Sequence, residues 1–128
     1  MSKQIIQTNK VPAPIGPYSQ AVIANGFLFA SGQVAFDPAT GELVLSSIEA
    51  ETTQVMENIK AILEEAKINF DHVVKTSIFL SSMDLFAAVN QVYGSYFTAD
   101  FPARETVAVK TLPRNVNVEI SVTAVMQH

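Results

Sequence analysis

The chain has no cysteine, no tryptophan, only two histidines, and just eight Lys and Arg residues against twelve Asp and Glu in 128 positions. Each scarcity closes off some chemistry. Without cysteine there is no disulfide framework, no thiolate nucleophile and no Cys-ligated zinc. His72 precedes an apolar run and His128 ends the chain, which argues against a metal cluster or a Ser–His–Asp triad. No two basic residues are adjacent and the formal charge is −4, so the electrostatic footprint of a nucleic-acid binder is missing. Gly26 and Gly32 lack the flanking pattern of a phosphate loop. No apolar stretch approaches a membrane span. The first residues, "MSKQIIQTNKVPAPIG", meet prolines too early for a signal peptide. A protein of the reducing cytoplasm is the simplest reading.

Charge is scarce overall. Charged residues make up 16% of the chain against 48% hydrophobic, where soluble domains average about 25% charged. The length suits one domain, residues 1–128, with a sizeable core. The charge deficit predicts a subunit with an apolar face left for another subunit to cover.

The hydrophobic pattern divides the chain into elements. "VPAPIGP" (11–17) must be extended or turning. "FLFASGQVAF" (27–36) reads as a strand, "DPATG" as a turn, and residues 42–45 as the returning strand of a hairpin. Ile48, Thr52, Val55, Met56, Ile59, Ile62, Leu63 and Ala66 form one helical stripe, with Ser46 and Glu49 as a capping box. Glu64 and Glu65 fall on that helix's solvated face. Residues 72–81 read as a strand with Val74, Thr76, Ile78 and Leu80 on one side. A second helix spans 84–97, capped by Asp84, with Phe86, Val89, Tyr93 and Phe97 buried. "ETVAVKTL" and "VNVEISVTAVMQ" then read as a hairpin closed by "PRN", and a further strand is expected within residues 3–8. Two helices cover one face of this mixed sheet, so the bare face is expected to pack against sheets of other subunits.

Two charged residues stand in apolar surroundings. Arg104, in "FPARETVAV", is expected to be partly desolvated and to need an anion. Glu105, Asp100 or a carbonyl could serve, or a small carboxylate ligand held by both prongs of the guanidinium. Glu119 is the only acid in the last strand. It either faces solvent or lies in a cleft where burial raises its pKa toward acid/base use. If the closing hairpin pairs Leu112 with Val116, Glu119 faces Val109 and Arg104 lies well along the sheet, so one subunit does not join them. Tyr18 and Ser19 follow Pro17 in a turn, with Tyr18 read as capping the core. Ser31 and Gly32 interrupt an apolar strand, where a glycine marks a bulge or a close approach. Asn90 sits on the largely apolar second helix, where it could bond a helix end or line a cleft.

"IGPYSQAV", "FASGQV", "NIKAILEEA", "HVVKTSIFL", "FAAVNQVYGSYF", "PAR" and "LPRNVNVEI" occur in this order, and the chain resembles the RidA/YjgF family over residues 3–127. The resemblance implies an α+β, chorismate-mutase-like fold. It implies a homotrimer around a central barrel of sheets, with sites between subunits. It further implies hydrolysis of enamine and imine acids such as 2-aminoacrylate, 2-iminopropanoate and 2-iminobutanoate to 2-keto acids and ammonia, with no cofactor and no metal. By the same resemblance Arg104 would hold the substrate carboxylate and Glu119 would activate water or shuttle protons. Tyr18, Ser31, Gly32, Asn90 and Thr106 would shape the pocket. Glu105 stands where the family favours a small or apolar residue, and Thr106 where deaminating members often carry Cys. An Arg104–Glu105 pair would weaken carboxylate capture. The alternatives are a 2-keto-acid-binding regulator without turnover and a ribonuclease or translation inhibitor, the latter opposed by the acidic composition.

Overall fold

In a computed structural model the chain is described over residues 2–127, which leaves His128 outside the described residues. Six strands form one sheet, in chain order β1 (Gln4–Ile6), β2 (Ala21–Ala24), β3 (Phe27–Ala30), β4 (Val73–Leu80), β5 (Ala103–Ala108) and β6 (Val118–Val125). Their spatial order is β1-β2-β3-β6-β4-β5. Every pairing is antiparallel except β4 with β5. Helices α1 (Ile48–Glu65) and α2 (Phe86–Gly94) lie on one face, giving the expected α+β fold. Among the described residues no helix is long and apolar enough to cross a membrane.

The first helix follows its stripe: Thr52, Val55, Met56, Ile59, Ile62 and Leu63 are all buried. Its cap is Ser47 rather than Ser46: the Ser47 backbone is extended, and its Oγ accepts from the Ala50 amide at 3.0 Å. The second helix begins at Phe86 and not at 84. A single 3-10 turn, Met83–Leu85, precedes it, and Ser82 rather than Asp84 caps that turn. Phe97 lies past the end of α2 but is buried with Val89 and Tyr93, while Phe86, expected in the same buried stripe, is only half-buried.

β4 carries a bulge between Val73 and Lys75. That extra residue moves Val74 out of the expected row, so Val73 is buried and Val74 exposed. β2 was not legible as a strand, although all four of its residues pair with β3 and three of them, Ala21 to Ile23, also pair with β1. The expected strand over 27–36 stops at Ala30. Beyond Gly32 it touches β6 through one bridge, Gln33 to Ile120, and the 42–45 return is reduced to the bridge Phe36 to Leu43.

The closing hairpin is absent. β5 pairs with β4 in parallel, while β6 lies between β3 and β4, so β4 separates the two expected partners. "PRN" is a turn, with Arg114 and Asn115 both left-handed, but the connection passes over the end of β4. The Leu80 carbonyl takes the Val109 amide, and the Ser81 amide reaches the Asn117 carbonyl. A fully buried Glu51 on α1 anchors the far side of this crossing. Its carboxylate accepts from the Asn117 amide at 2.8 Å, the Asn117 side chain at 2.9 Å and the Val118 amide at 3.2 Å.

Alternation along the strands sorts the two faces. Leu28, Ile78, Leu80, Val118, Ile120 and Ala124 point into the helix-covered core. Ile5, Phe27, Phe29 and Val107 lie exposed on the other face, as the charge deficit predicts. α2 and the helix-side residues of β5 form one candidate site wall, and the open face of β6 carries another.

Candidate active site

Arg104 lies on β5 opposite Thr76 of β4, a buried residue, and therefore projects to the helix side. There α2 meets it with three side chains. Arg104 Nη1 donates to Asn90 Oδ1 at 2.6 Å. The guanidinium carbon lies 5.1 Å from the Tyr93 ring centre and 5.6 Å from that of Phe86, within cation–π range. Positions 86, 90 and 93 recur at three- and four-residue steps, so one face of the helix supplies all three. Tyr93 is itself anchored, its hydroxyl 2.8 Å from the Thr76 hydroxyl. Burial pushes its phenol up, opposed by the Thr76 hydrogen bond and the Arg104 charge.

This arrangement holds the guanidinium by one nitrogen and its faces, and leaves its other N–H groups available. They border a cleft of about 520 Å³ lined by Asn90, Tyr93, Gly94, Phe101, Pro102 and Arg104. Within one subunit Arg104 is exposed, not partly desolvated as expected. β5 is an edge strand, and among the described residues no further strand pairs with its free side.

Glu105 does not pair with Arg104. Strand alternation turns it to the opposite face, where it meets Ser77 and, at 2.9 Å, Lys75. The Ser77 hydrogen bond, then Lys75, holds its carboxyl below the usual value. Thr106 returns to the Arg104 face, and its hydroxyl oxygen is buried without a hydrogen-bond partner.

Glu119 faces Phe79 of β4, not Val109 as expected from the hairpin. It shares the open face with Glu105 and is half-buried, and that burial raises its pKa. Its carboxylate packs on the backbone of Gly32, where an added Cβ would lie 2.5 Å from Oε2. The glycine in the apolar strand therefore marks a close approach, and the approaching group is Glu119. Ser31 donates from Oγ to the Ser19 carbonyl at 2.6 Å, tying the Tyr18 loop to the end of β3. Tyr18 is 57% exposed and does not cap the core. Tyr18, Ser19 and Ser31 border a second cleft of about 540 Å³.

The residues thus fall into two half-sites. Arg104 and Asn90 are in contact, with Thr106 on the same face. Glu119 and Gly32 are in contact, with Ser31 next to Gly32 and joined to the Tyr18 loop. One subunit does not unite the halves. Arg104 and Glu119 sit on opposite faces, two strand spacings across and three residues along, roughly 10 Å in each direction. The roles of Phe86 and Tyr93 beside Arg104 were not legible beyond a buried stripe, because spacing gives the face of a helix but not which strand lies under it.

The family model described as Endoribonuclease L-PSP matches residues 8–126. A RutC family protein of Synechocystis is 49% identical, covering 98% of both chains. The 2-iminobutanoate/2-iminopropanoate deaminase of Mus musculus is 43% identical, over 96% of this chain and 91% of its own. Among solved structures, the YjgF gene product of E. coli superposes with a TM-score of 0.92 at 39% identity, covering 97% of this chain and 99% of that one. The chain belongs to the YjgF/RidA family.

Proposed function

We propose that this chain is a cytoplasmic deaminase of 2-imino acids, acting on 2-iminopropanoate (the imine tautomer of 2-aminoacrylate) and 2-iminobutanoate. The observation that carries the reading is Arg104: Asn90, Tyr93 and Phe86 fix its guanidinium over a cleft, and no carboxylate among the described residues occupies its free N–H groups. A rigid guanidinium with two free prongs suits a small carboxylate. The 43% identity to a mouse protein of this activity supports the same substrate class.

The chemistry asks little of the protein. A protonated C=N is electrophilic, so a base must take a proton from water as its oxygen bonds to the imine carbon. The same group then returns that proton to nitrogen and takes the proton of the carbinol hydroxyl as C=O forms and the C–N bond breaks, so that ammonia leaves a 2-keto acid and carries the last proton away as ammonium. Glu119, half-buried against Gly32, has the character for this shuttle. Because the two half-sites face opposite sides of the sheet, the reading requires a neighbouring copy to bring Glu119 to Arg104. A homotrimer, its apolar open faces packed inward, would do so and would cover Phe27, Phe29 and Val107.

The test is a coupled assay that generates 2-iminopropanoate or 2-iminobutanoate in situ and follows its disappearance. The expected result is hydrolysis well above the buffer rate, abolished in Glu119→Gln. Decay at the buffer rate despite binding of 2-oxobutanoate would replace the reading with a ligand-sensing protein.

A further inference from the structure

Arg114 belongs to neither half-site. It is exposed in the turn before β6, with a left-handed backbone (φ 58) followed by another left-handed residue, Asn115. L side chains disfavour that conformation, and here it directs the arginine across the turn. Its guanidinium carbon lies 5.5 Å from the centre of the Phe36 ring. Among the described residues no carboxylate answers it, and the ion pair found there joins Lys75 to Glu105.

Phe36 and Arg114 also line a cavity of about 230 Å³, together with Ile15, Tyr18, Gly32 and Val34. Its walls are mostly apolar, and Arg114 supplies its cation. Gly32 connects it to the proposed chemistry, because the same glycine is the seat of the Glu119 carboxylate. A substrate reacting beside Glu119 therefore has this cavity as its neighbour. The space suits a short side chain, and an arginine held on an aromatic ring keeps its N–H edge ready for a carboxylate.

We infer that Arg114 is a specificity-determining residue: the cavity takes the side chain of the 2-imino acid, and Arg114 binds a second carboxylate at the end of that side chain. The inference rests on the imino-acid reading above and extends it to imines derived from dicarboxylic amino acids. Apolar walls alone would favour uncharged side chains, and the guanidinium reverses that order.

Calorimetric titration with the stable keto-acid products tests this without turnover, using 2-oxobutanoate and 2-oxoglutarate as probes. Wild-type protein should bind 2-oxoglutarate more tightly. In Arg114→Gln the ratio of the two affinities should fall on the order of tenfold or more, the scale of one charged hydrogen-bonding contact, and Arg114→Lys should recover part of it. Circular dichroism checks that both variants fold. An unchanged ratio in Arg114→Gln, or a wild-type preference for 2-oxobutanoate, overturns the inference. Arg104→Lys separates the two claims. Weaker binding of both acids supports the imino-acid reading. Binding of 2-oxoglutarate that needs Arg114 but not Arg104 ends that reading and leaves the Arg114 subsite standing. No binding of either acid ends both.

Discussion

At the scale of single residues, the sequence already singled out Gly32 and Glu119 but could not show that they touch. A glycine in a strand signals that something comes close, while the partner depends on a bridge between residues 33 and 120. With a Cβ at 2.5 Å from Oε2, Gly32→Ala must displace the carboxylate, so turnover should fall by about 10²-fold while the fold persists. Unchanged turnover would mean that Glu119 acts from another position. Burial raises the Glu119 pKa above its ordinary 4.5. As a base it must be ionised, so activity should be lost as pH falls through that raised value, at a pH above the usual glutamate range. A pH–rate profile whose acidic limb sits at the ordinary value would contradict the assignment. Thr106 offers a separate test. Its hydroxyl is buried and unpartnered, and replacing such a group with a methyl of similar shape removes a desolvation penalty of about 1–3 kcal/mol. Thr106→Val should therefore raise the melting temperature and reduce turnover by tenfold or less.

At the scale of elements, the periodic segments were legible and the pairings were not. The stripes of α1 and α2 specify buried faces directly, because helix contacts are local. The 105–112 and 116–127 segments looked like a hairpin, since a proline turn between two apolar runs is its usual sign. Their separation by β4 depends on long-range contacts that no local pattern encodes. The Glu51 carboxylate is the clearest of these. It satisfies two amides and one side chain where the chain crosses into β6. Glu51→Ala would strand those buried donors, at a cost of about 1–3 kcal/mol for each left unpaired. Urea unfolding should show a loss of several kcal/mol, whereas Ser47→Ala, which removes only the α1 cap, should cost about 1 kcal/mol. Equal losses in the two variants would show that the Glu51 contacts are dispensable.

At the scale of the whole molecule, the low charge content anticipated an apolar face and the fold locates it on the sheet side opposite the helices. Composition could announce that face but not place it, because burial on one side of a sheet follows from which strands neighbour one another. The same geometry sets the decisive prediction. Arg104 and Glu119 occupy opposite faces of one subunit, so an active site that uses both must be shared between copies. Arg104→Lys and Glu119→Gln should each be nearly inactive as pure proteins. Denatured together in equal amounts and refolded, they should regain activity, because an intact Arg104 from one variant can meet an intact Glu119 from the other. In a closed ring of three, random mixing leaves about three quarters of the assemblies mixed, each with one good junction in three. Roughly one quarter of wild-type activity should therefore return. Sedimentation of wild type should accompany the measurement, and a stable monomer at micromolar concentration would rule out the shared site. Mixed assemblies that form but recover no activity would place both residues' chemistry within a single chain, contrary to the separation of the two half-sites across the sheet.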